Sequence, residues 1–143
     1  MNTQNIYQWD DIYPSYALLK EDIHNKTLFV FKNKGHIVGI TVLNEQQEPE
    51  YQNISWKYQE GKVLVVHRLC IHPNFQGQGI AKQLMTFTEQ YAKSNNYNSI
   101  RLDAFKQNEN AVLLYKNRKY HQAGIVNFRK GAFYCFEKNV YIE

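Results

Sequence analysis

The stretch IHPNFQGQGIAK, residues 71–82, decides the fold. It follows a nearly continuous apolar run, KVLVVHRLCI at residues 62–71, which is typical of a buried central strand. It leads into residues 79–94, where Ile80, Leu84, Phe87 and Tyr91 recur at helical spacing. The pattern therefore predicts a buried strand, a tight turn and an amphipathic helix in direct succession.

Residues 76–79, here called the glycine turn, predict a site for an anion. Gly77 and Gly79 allow a backbone to approach a ligand without a Cβ in the way. The first N–H groups of the following helix have no intrahelical partners, and the helix dipole favours negative charge there. A phosphorylated ligand fits this chemistry, and a glycine-rich turn without a ligand is the alternative.

Two common nucleotide motifs fit this turn poorly. A Walker A loop requires Gly-Lys followed by Ser or Thr, but Ile80 and Ala81 follow Gly79. A dinucleotide fingerprint that starts at Gly77 requires Gly or Ala at position 82, where Lys82 stands.

The remaining segments predict an α/β fold with a mixed sheet. A short helix is expected at about residues 15–25, and residues 44–62 read as a long loop. Asn108 is expected to cap a second amphipathic helix. The predicted strands are TLFVFKN at 27–33, HIVGITVLN at 36–44, SIRLDAF at 99–105, and a closing hairpin over 119–128 and 132–138.

Composition indicates one globular domain over residues 1–143. Apolar residues make up 43% of the chain, which is enough for a core. The net charge of +4 is mild, and no dense run of Lys or Arg indicates a nucleic-acid partner. The excess charge suits either an ordinary solvated surface or a basic rim that attracts an anionic ligand.

Cysteine usage and hydropathy predict a cytoplasmic protein. Cys70 and Cys135 belong to no CxxC pair and no Cys/His cluster, so neither a metal site nor a disulfide framework is expected. The first residues lack the pattern of a signal peptide. No apolar stretch approaches about 18 residues, so no membrane span is expected.

Two motifs together resemble the GNAT family of acetyltransferases. Gln76-Gly77-Gln78-Gly79-Ile80-Ala81 is similar to the family pattern Gln/Arg-x-x-Gly-x-Gly/Ala at the start of a helix. Asn108-Glu-Asn-Ala111-Val-Leu-Leu114-Tyr115, followed by Lys119-Tyr120, is similar to the family's Asn-x-x-Ala-x-x-Leu-Tyr and its closing Gly-Phe-like pair. The resemblance covers roughly residues 27–138. It implies a GNAT fold, with a mostly antiparallel sheet that splays at the cofactor site and is flanked by helices.

The chain departs from the family pattern in two places. Lys119 stands where the family usually has Gly, so the turn before Tyr120 is expected to differ. About 26 residues precede the hairpin at Thr27, so the family's first strand is expected to be missing or reduced, which affects the acceptor site most.

The resemblance implies a site for acetyl-CoA without a metal. The strand backbone at Leu69, Cys70 and Ile71 would pair with the pantetheine arm. Asn108 would bind the pantetheine region, act as a plain helix cap, or do both. The pyrophosphate would be held by the backbone N–H groups of Gln76, Gly77, Gln78, Gly79, Ile80, Ala81 and Lys82.

The resemblance also implies catalytic groups. Tyr115 is the candidate general acid, and its alternative is a core aromatic on the buried face of the helix. His67 is the candidate base, because some family members carry Glu or His on the strand face that Val65, His67, Leu69 and Ile71 would share. Its alternative is a hydrogen-bonded structural histidine. Trp56 and Tyr58 are weaker candidates for the acceptor side, and Glu137 is either a buried carboxylate or an edge charge.

The resulting prediction is direct acetyl transfer from acetyl-CoA to an amine, by a monomer or homodimer. Cys70 is expected to be packed and to form no acyl-enzyme. A CoA-binding sensor without turnover is the alternative, which the two departures favour slightly. A nucleic-acid binder is disfavoured because no basic stripe with interleaved aromatics is present.

Overall fold

The computed structural model describes residues 27–141, and within them it contains seven strands and two α-helices. The predicted helix at residues 15–25 and the question of a first strand lie outside the described residues. The helices are α1 (Ile80–Ser94) and α2 (Glu109–Asn117). The strands are β1 (Leu28–Asn33), β2 (His36–Asn44), β3 (Val63–Val66), β4 (Cys70–Ile71), β5 (Ser99–Phe105), β6 (His121–Phe128) and β7 (Gly131–Asn139).

The chain divides into two compact units, and the first holds residues 27–44 and 66–88 of the described part. Strands β1 and β2 form the predicted antiparallel hairpin, with a bulge between Phe31 and Lys32. Strand β4 pairs antiparallel with β2, placing Gly39 opposite Ile71. The start of α1 packs here, in a core of Val38, Ile80 and Leu84.

The second unit holds residues 45–65 and 89–141 of the described part and contains a mixed sheet. Strand β3 runs parallel to β5, whereas β7 is antiparallel to both β5 and β6. The predicted long loop contains a 3₁₀ turn at Pro49–Asn53. The loop packs its aromatics on one face of this sheet, in a core of Tyr51, Trp56, Val65, Phe105, Val126, Phe133 and Cys135.

The single strand predicted over residues 62–71 was wrong, because residues 67–69 lie between two shorter strands. Strand β3 pairs with β5, whereas β4 does not, so the pairing with β5 ends at this break. Alternation along one strand therefore does not place Val65 and His67 on a shared face. Val65 is only 1% exposed, whereas His67 is half-buried.

Both α-helices end in the same hydrogen-bonded turn. After α2, Tyr120 N–H donates to the Tyr115 carbonyl at 3.0 Å and Lys119 N–H donates to the Lys116 carbonyl at 3.0 Å, which is a Schellman motif. After α1, Asn96 takes the position in the same motif that Lys119 takes after α2. Lys119 has φ +72° and Asn96 has φ +64°, so the turn keeps the left-handed geometry that glycine favours.

The buried face of α1 differs from the predicted one in its second half, where Tyr91 is only half-buried. Ile80 and Leu84 are buried, as expected, but Phe87 is 38% exposed. The buried residues that continue the face are Met85, Thr88 and Ala92. Phe87 instead packs its ring against Phe29 at 5.4 Å between centroids.

Candidate functional site

The glycine turn has a backbone that only glycine adopts easily. Gly77 has φ +81° and Gly79 has φ +80°. A Cβ built at either residue would meet no atom within 4 Å. The glycines are therefore required by the backbone conformation rather than by a close protein neighbour, and the space outside the turn is open.

Hydrogen bonds hold the turn between the end of β4 and the start of α1. The side-chain nitrogen Nε2 of Gln76 donates to the Ile71 carbonyl at 3.2 Å. His72 N–H donates to the Val38 carbonyl at 2.8 Å, and His72 Nδ1 accepts from Asn74 N–H at 3.1 Å, capping the 3₁₀ turn Pro73–Phe75. The Gln76 side chain thus braces the turn, and the backbone is left to meet a ligand.

The helix start supplies the N–H groups that the sequence predicted. The first intrahelical bond runs from Gln83 N–H to the Gly79 carbonyl at 3.1 Å, so the N–H groups of residues 80–82 precede it. Ile80 is 5% exposed and packs in the core, which leaves only its backbone for a ligand. Gly77, Gln78, Gly79 and Lys82 are exposed.

Strand β4 is paired on one side. Within residues 27–141, β2 is the only strand with which it pairs, through Ile40↔Cys70 and Gly39↔Ile71. A short strand with one unpaired edge can accept an extended ligand as a further strand. The edge of β4, the glycine turn and the start of α1 are consecutive in the chain, and together they suit a ligand with an extended arm and a diphosphate.

His67 is held by the end of β2. Its backbone N–H donates to the Val42 carbonyl at 2.9 Å. Its ring nitrogen Nε2 lies 2.6 Å from Asn44 Oδ1. Both contacts lie within the first unit, and they orient the imidazole from its backbone and from its ring.

Tyr115 lies on the buried face of α2 and is 4% exposed. Its ring centroid lies 5.7 Å from that of Phe136 and 5.8 Å from that of Tyr120. The Tyr120 contact joins the two positions that face each other across the Schellman motif. Asn108 Oδ1 accepts from Ala111 N–H at 3.2 Å, so the predicted helix cap is present.

A half-buried ionic cluster fixes the turn that follows α2. Glu89 accepts from Arg118 Nη2 at 2.8 Å and from the Tyr120 hydroxyl at 3.0 Å, and Lys138 Nζ lies 3.6 Å away. Burial alone would raise the pKa of the Glu89 carboxyl, but the Arg118 hydrogen bond and the Lys138 charge bring it below its ordinary value.

The residues predicted for the acceptor side occupy well-satisfied positions in the second unit. Trp56 is 7% exposed, donates its Nε1–H to the Tyr51 carbonyl at 2.9 Å, and stacks under the Arg101 guanidinium at 4.3 Å. Tyr58 is half-buried, and its carbonyl accepts from Arg101 at 3.0 Å. These contacts give Trp56 a packing role.

Glu137 is a fully buried carboxylate that anchors the long loop. It accepts the backbone N–H groups of Lys57 at 2.7 Å and Tyr58 at 2.9 Å. It lies opposite Arg101 across the β5–β7 pair. The sequence did not decide whether Glu137 is a buried carboxylate or an edge charge. Its inward position in the strand FYCFEK was the signal available for burial.

The Tyr51–Asp103 pair was missed by sequence reasoning. The Tyr51 hydroxyl donates to Asp103 Oδ2 at 2.6 Å. Burial raises the pKa of Asp103 to about 6. Arg101 and Asp103 are two residues apart in SIRLDAF, a strand that is otherwise mostly apolar. Two charged residues at that spacing were the signal that could have indicated buried polar contacts here.

Both cysteines are buried and free. Burial raises the pKa of each thiol to about 12. The charge of Arg68 lowers the pKa of Cys70 in part, whereas the charge of Asp103 raises that of Cys135 further. Within residues 27–141, no helix is long and apolar enough to cross a membrane, and no group of three or more His, Cys, Asp or Glu side chains is placed to bind a metal.

The chain belongs to the acetyltransferase (GNAT) family, whose sequence profile matches residues 2–120. N-acetyltransferase 8F1 of Mus musculus is 28% identical over 114 residues, covering 80% of this chain and 46% of that protein. The chain therefore spans about half the length of the curated relatives it matches.

Solved structures confirm the predicted fold. A GNAT-family acetyltransferase from Streptococcus agalactiae 2603 has a TM-score of 0.77 at 23% identity, covering 93% of this chain and 76% of that one. A GNAT-family acetyltransferase from Elizabethkingia anophelis, with acetyl-CoA bound, has a TM-score of 0.68 at 18% identity, covering 96% and 90%. The α/β prediction and the family prediction are both confirmed.

Proposed function

We propose that this protein is an N-acetyltransferase that moves the acetyl group of acetyl-CoA directly to an amine. The observation that carries the proposal is the glycine turn, with its left-handed Gly77 and Gly79, its open outer side and the helix start behind it. Membership of the GNAT family supports the reaction class. The related protein from Elizabethkingia anophelis holds acetyl-CoA in its crystal structure, which supports the choice of donor.

The donor would be bound mainly by backbone. The N–H groups of residues 76–82 would hold the pyrophosphate, because several helix-end contacts of roughly 0.3–1 kcal/mol each act together there. The backbone of Leu69 and the unpaired edge of β4, at Cys70 and Ile71, would pair with the pantetheine arm. Asn108 would contribute its amide nitrogen to the pantetheine region while its oxygen caps α2.

The chemistry needs a neutral amine and a leaving thiolate. An alkyl amine with a pKa near ~10.4 carries a proton at neutral pH, and its removal costs roughly 4 kcal/mol. His67 would accept that proton. The amine nitrogen then bonds to the thioester carbon, the carbon–sulfur bond breaks, and the thiolate leaves with a proton that Tyr115 would donate. The nitrogen loses its extra proton as the amide forms, and that proton would return Tyr115 to its neutral form. Thiols with pKa values of about 12 are poor nucleophiles, which favours transfer without a cysteine intermediate.

The decisive test is calorimetric titration with acetyl-CoA of the wild type, Gly79→Trp and Gly35→Trp. Gly35 lies in the β1–β2 turn with φ +83° and has nothing within 4 Å of a built Cβ, so the two variants carry the same backbone strain. We expect the wild type and Gly35→Trp to bind in the micromolar range and Gly79→Trp to lose binding while it stays folded. Equal binding by the two variants would contradict the donor site.

A second experiment separates turnover from binding. Tyr115→Phe is expected to reduce kcat on an amine substrate by about 10-fold or more, with little change in the KM for acetyl-CoA. Tyr134→Phe is the control, because Tyr134 also packs against Phe136, at 6.4 Å. Tight acetyl-CoA binding without transfer to any of a panel of small-molecule and peptide amines would instead favour the CoA-binding sensor.

A further inference from the structure

Tyr115, the proposed acid, is held through its backbone carbonyl as well as through its ring. The N–H groups of Arg118 and Tyr120 both donate to the Tyr115 carbonyl, at 3.1 and 3.0 Å. The Tyr120 ring also contacts the Tyr115 ring, at 5.8 Å between centroids. A helix of nine residues, such as α2, is marginal on its own, so contacts outside it must hold its end. The position of Tyr115 therefore depends on what holds the turn after α2.

One carboxylate binds the side chains of both residues whose N–H groups donate to Tyr115. Glu89, on α1, accepts from Arg118 Nη2 at 2.8 Å and from Arg118 Nε at 3.2 Å, which is a bidentate pair. Glu89 also accepts from the Tyr120 hydroxyl at 3.0 Å. The side chains of Arg118 and Glu89 are 22% and 18% exposed, so salt and solvent screen the pair only in part.

A second cation holds the backbone of the same turn. Lys138, on β7, donates from Nζ to the Arg118 carbonyl at 2.8 Å and lies 3.6 Å from Glu89 Oε2. Arg118 is thus held at its N–H, at its carbonyl and at its guanidinium. Glu89 is the group that the Arg118, Tyr120 and Lys138 side chains share.

From these contacts, and resting on the proposed role of Tyr115, we infer that Glu89 is a positioning residue for acetyl transfer. Its carboxylate holds Arg118 and Tyr120, and the N–H groups of these two residues hold the last turn of α2 at the Tyr115 carbonyl. Tyr115 is thereby kept in one place. Glu89 acts through these contacts and neither gives nor takes a proton in the reaction.

The turn needs this support because it contains no glycine. Lys119 has φ +72°, a conformation that is costly for an L-residue and that glycine adopts easily. Lys119 lies between Arg118 and Tyr120, so the Glu89 carboxylate holds the strained residue from both sides. A glycine at position 119 should therefore make the turn less dependent on Glu89.

Hydrogen exchange followed by NMR tests this role of Glu89 without an assay of activity. Glu89→Gln keeps the size of the side chain and removes the charge that strengthens its hydrogen bonds. We expect the Tyr120 amide to exchange about 10-fold faster in this variant, relative to the amides of β5. The double variant Glu89→Gln/Lys119→Gly should return towards the wild-type rate, because the turn is then no longer strained.

The control for hydrogen exchange is the next residue along α1. Gln90 is exposed, so Gln90→Ala removes a side chain of similar length without touching the cluster, and it should leave the Tyr120 exchange rate unchanged. An unchanged Tyr120 exchange rate in Glu89→Gln overturns the inference. Equal acceleration of the Tyr120 amide and the β5 amides also overturns it, since the effect would then be a general loss of stability.

A double-variant cycle in kinetics separates a positioning role from a structural one. Glu89→Gln should lower kcat on an amine substrate about 3- to 10-fold with an unchanged KM for acetyl-CoA, and by no more than Tyr115→Phe does. In the Tyr115→Phe background the same change should lower kcat about 2-fold or less, because the hydroxyl that Glu89 positions is absent. Equal losses of kcat in the two backgrounds would assign Glu89 a structural role and overturn the inference.

Tyr120→Phe keeps the inference testable if Glu89→Gln does not fold. This variant keeps the ring beside Tyr115 and removes only the hydroxyl that donates to Glu89. Its Tyr120-position amide should exchange about 3-fold faster and its kcat should fall in the same proportion. An unchanged exchange rate and an unchanged kcat in this variant contradict the positioning role.

Failure of the proposed function has a different signature from failure of this inference. A wild type that acetylates no amine, in which the exchange rate of the Tyr120 amide still depends on Glu89, would contradict the proposed function and leave the contact established. An active enzyme whose Tyr115→Phe variant keeps its full kcat would contradict the role of Tyr115 and, with it, the positioning role of Glu89.

Discussion

Lys119 adopts a backbone conformation that costs an L-residue free energy. Its φ of +72° lies in the left-handed region, where a Cβ costs roughly 1–2 kcal/mol relative to glycine. Glycine loses more backbone entropy on folding, which offsets about half of that gain. Lys119→Gly should therefore raise the free energy of unfolding by about 0.5–1 kcal/mol, measured from urea denaturation.

The control for this variant lies three residues earlier. Lys116 is an exposed residue within α2, so Lys116→Gly should lower the free energy of unfolding by roughly 1 kcal/mol. Two variants with the same chemical change thus have opposite expected signs. A destabilised Lys119→Gly would show that the turn does not hold its left-handed geometry in solution.

Asp103 makes stability depend on pH. Burial raises its pKa from 3.8 to about 6, so the folded state binds this proton more tightly than the unfolded state does. The contribution of Asp103 to stability is therefore greatest below pH 4 and falls as the pH rises towards 6, by at most about 3 kcal/mol. Asp103→Asn retains an oxygen for the Tyr51 hydroxyl and has no charge to bury. It should be more stable relative to the wild type at pH 7.5 than at pH 4.5.

Chemical denaturation at those two pH values checks the Asp103 prediction. Glu50→Gln removes an exposed carboxylate from the same loop that carries Tyr51, and it should show no comparable pH dependence. The same stability difference between Asp103→Asn and the wild type at both pH values would contradict a raised pKa.

Strand β2 and helix α1 pack closely against each other at Gly39. A Cβ there would lie 3.0 Å from Leu84 Cδ1, 3.2 Å from Ile71 Cδ1 and 3.3 Å from Ile80 Cγ2. Ile71 ends β4, before the glycine turn, and Ile80 begins α1, directly after it. Gly39→Ala should therefore lower the free energy of unfolding by about 1–3 kcal/mol and weaken acetyl-CoA binding, because the helix start must shift to admit the methyl group.

The double variant Gly39→Ala/Leu84→Val tests whether crowding is the cause. Shortening Leu84 removes the atom nearest to the added methyl group, so the two changes together should cost less than the sum of their separate effects. Additive effects on denaturation midpoints would show that the helix start does not rest on Gly39.

The elements differ in how far the sequence predicts them. β2 and β5 were predicted at their observed bounds, and α1 within one residue, because turns and caps mark their ends. The break at residues 67–69 was not predictable, since an apolar run gives burial but does not reveal where the pairing with a neighbouring strand ends. The Asn44–His67 contact depends on that break.

Local sequence patterns also predict some residues of the candidate site better than others. Gly77 and Gly79 were predicted because positive φ leaves a direct mark on residue choice. Trp56 stays a candidate for the acceptor side, because an aromatic in a long polar loop has the same composition signal whether it meets a substrate or covers a sheet. Its contacts with Tyr51 and Arg101 come from the loop folding back over β5, which local patterning does not encode.

At the scale of the whole molecule, donor binding should appear as thermal stability. A ligand that binds only the folded state stabilises it by about 2.7 kcal/mol at a concentration 100-fold above its Kd. For a chain of 143 residues this corresponds to a rise in Tm of about 9 °C. Scanning calorimetry across a series of acetyl-CoA concentrations should give this rise for the wild type and for Gly35→Trp but none for Gly79→Trp. Each tryptophan variant is compared with its own ligand-free Tm, so backbone strain at the substituted glycine cancels. A rise retained in Gly79→Trp would place the donor somewhere other than the glycine turn, even if the enzyme proves active.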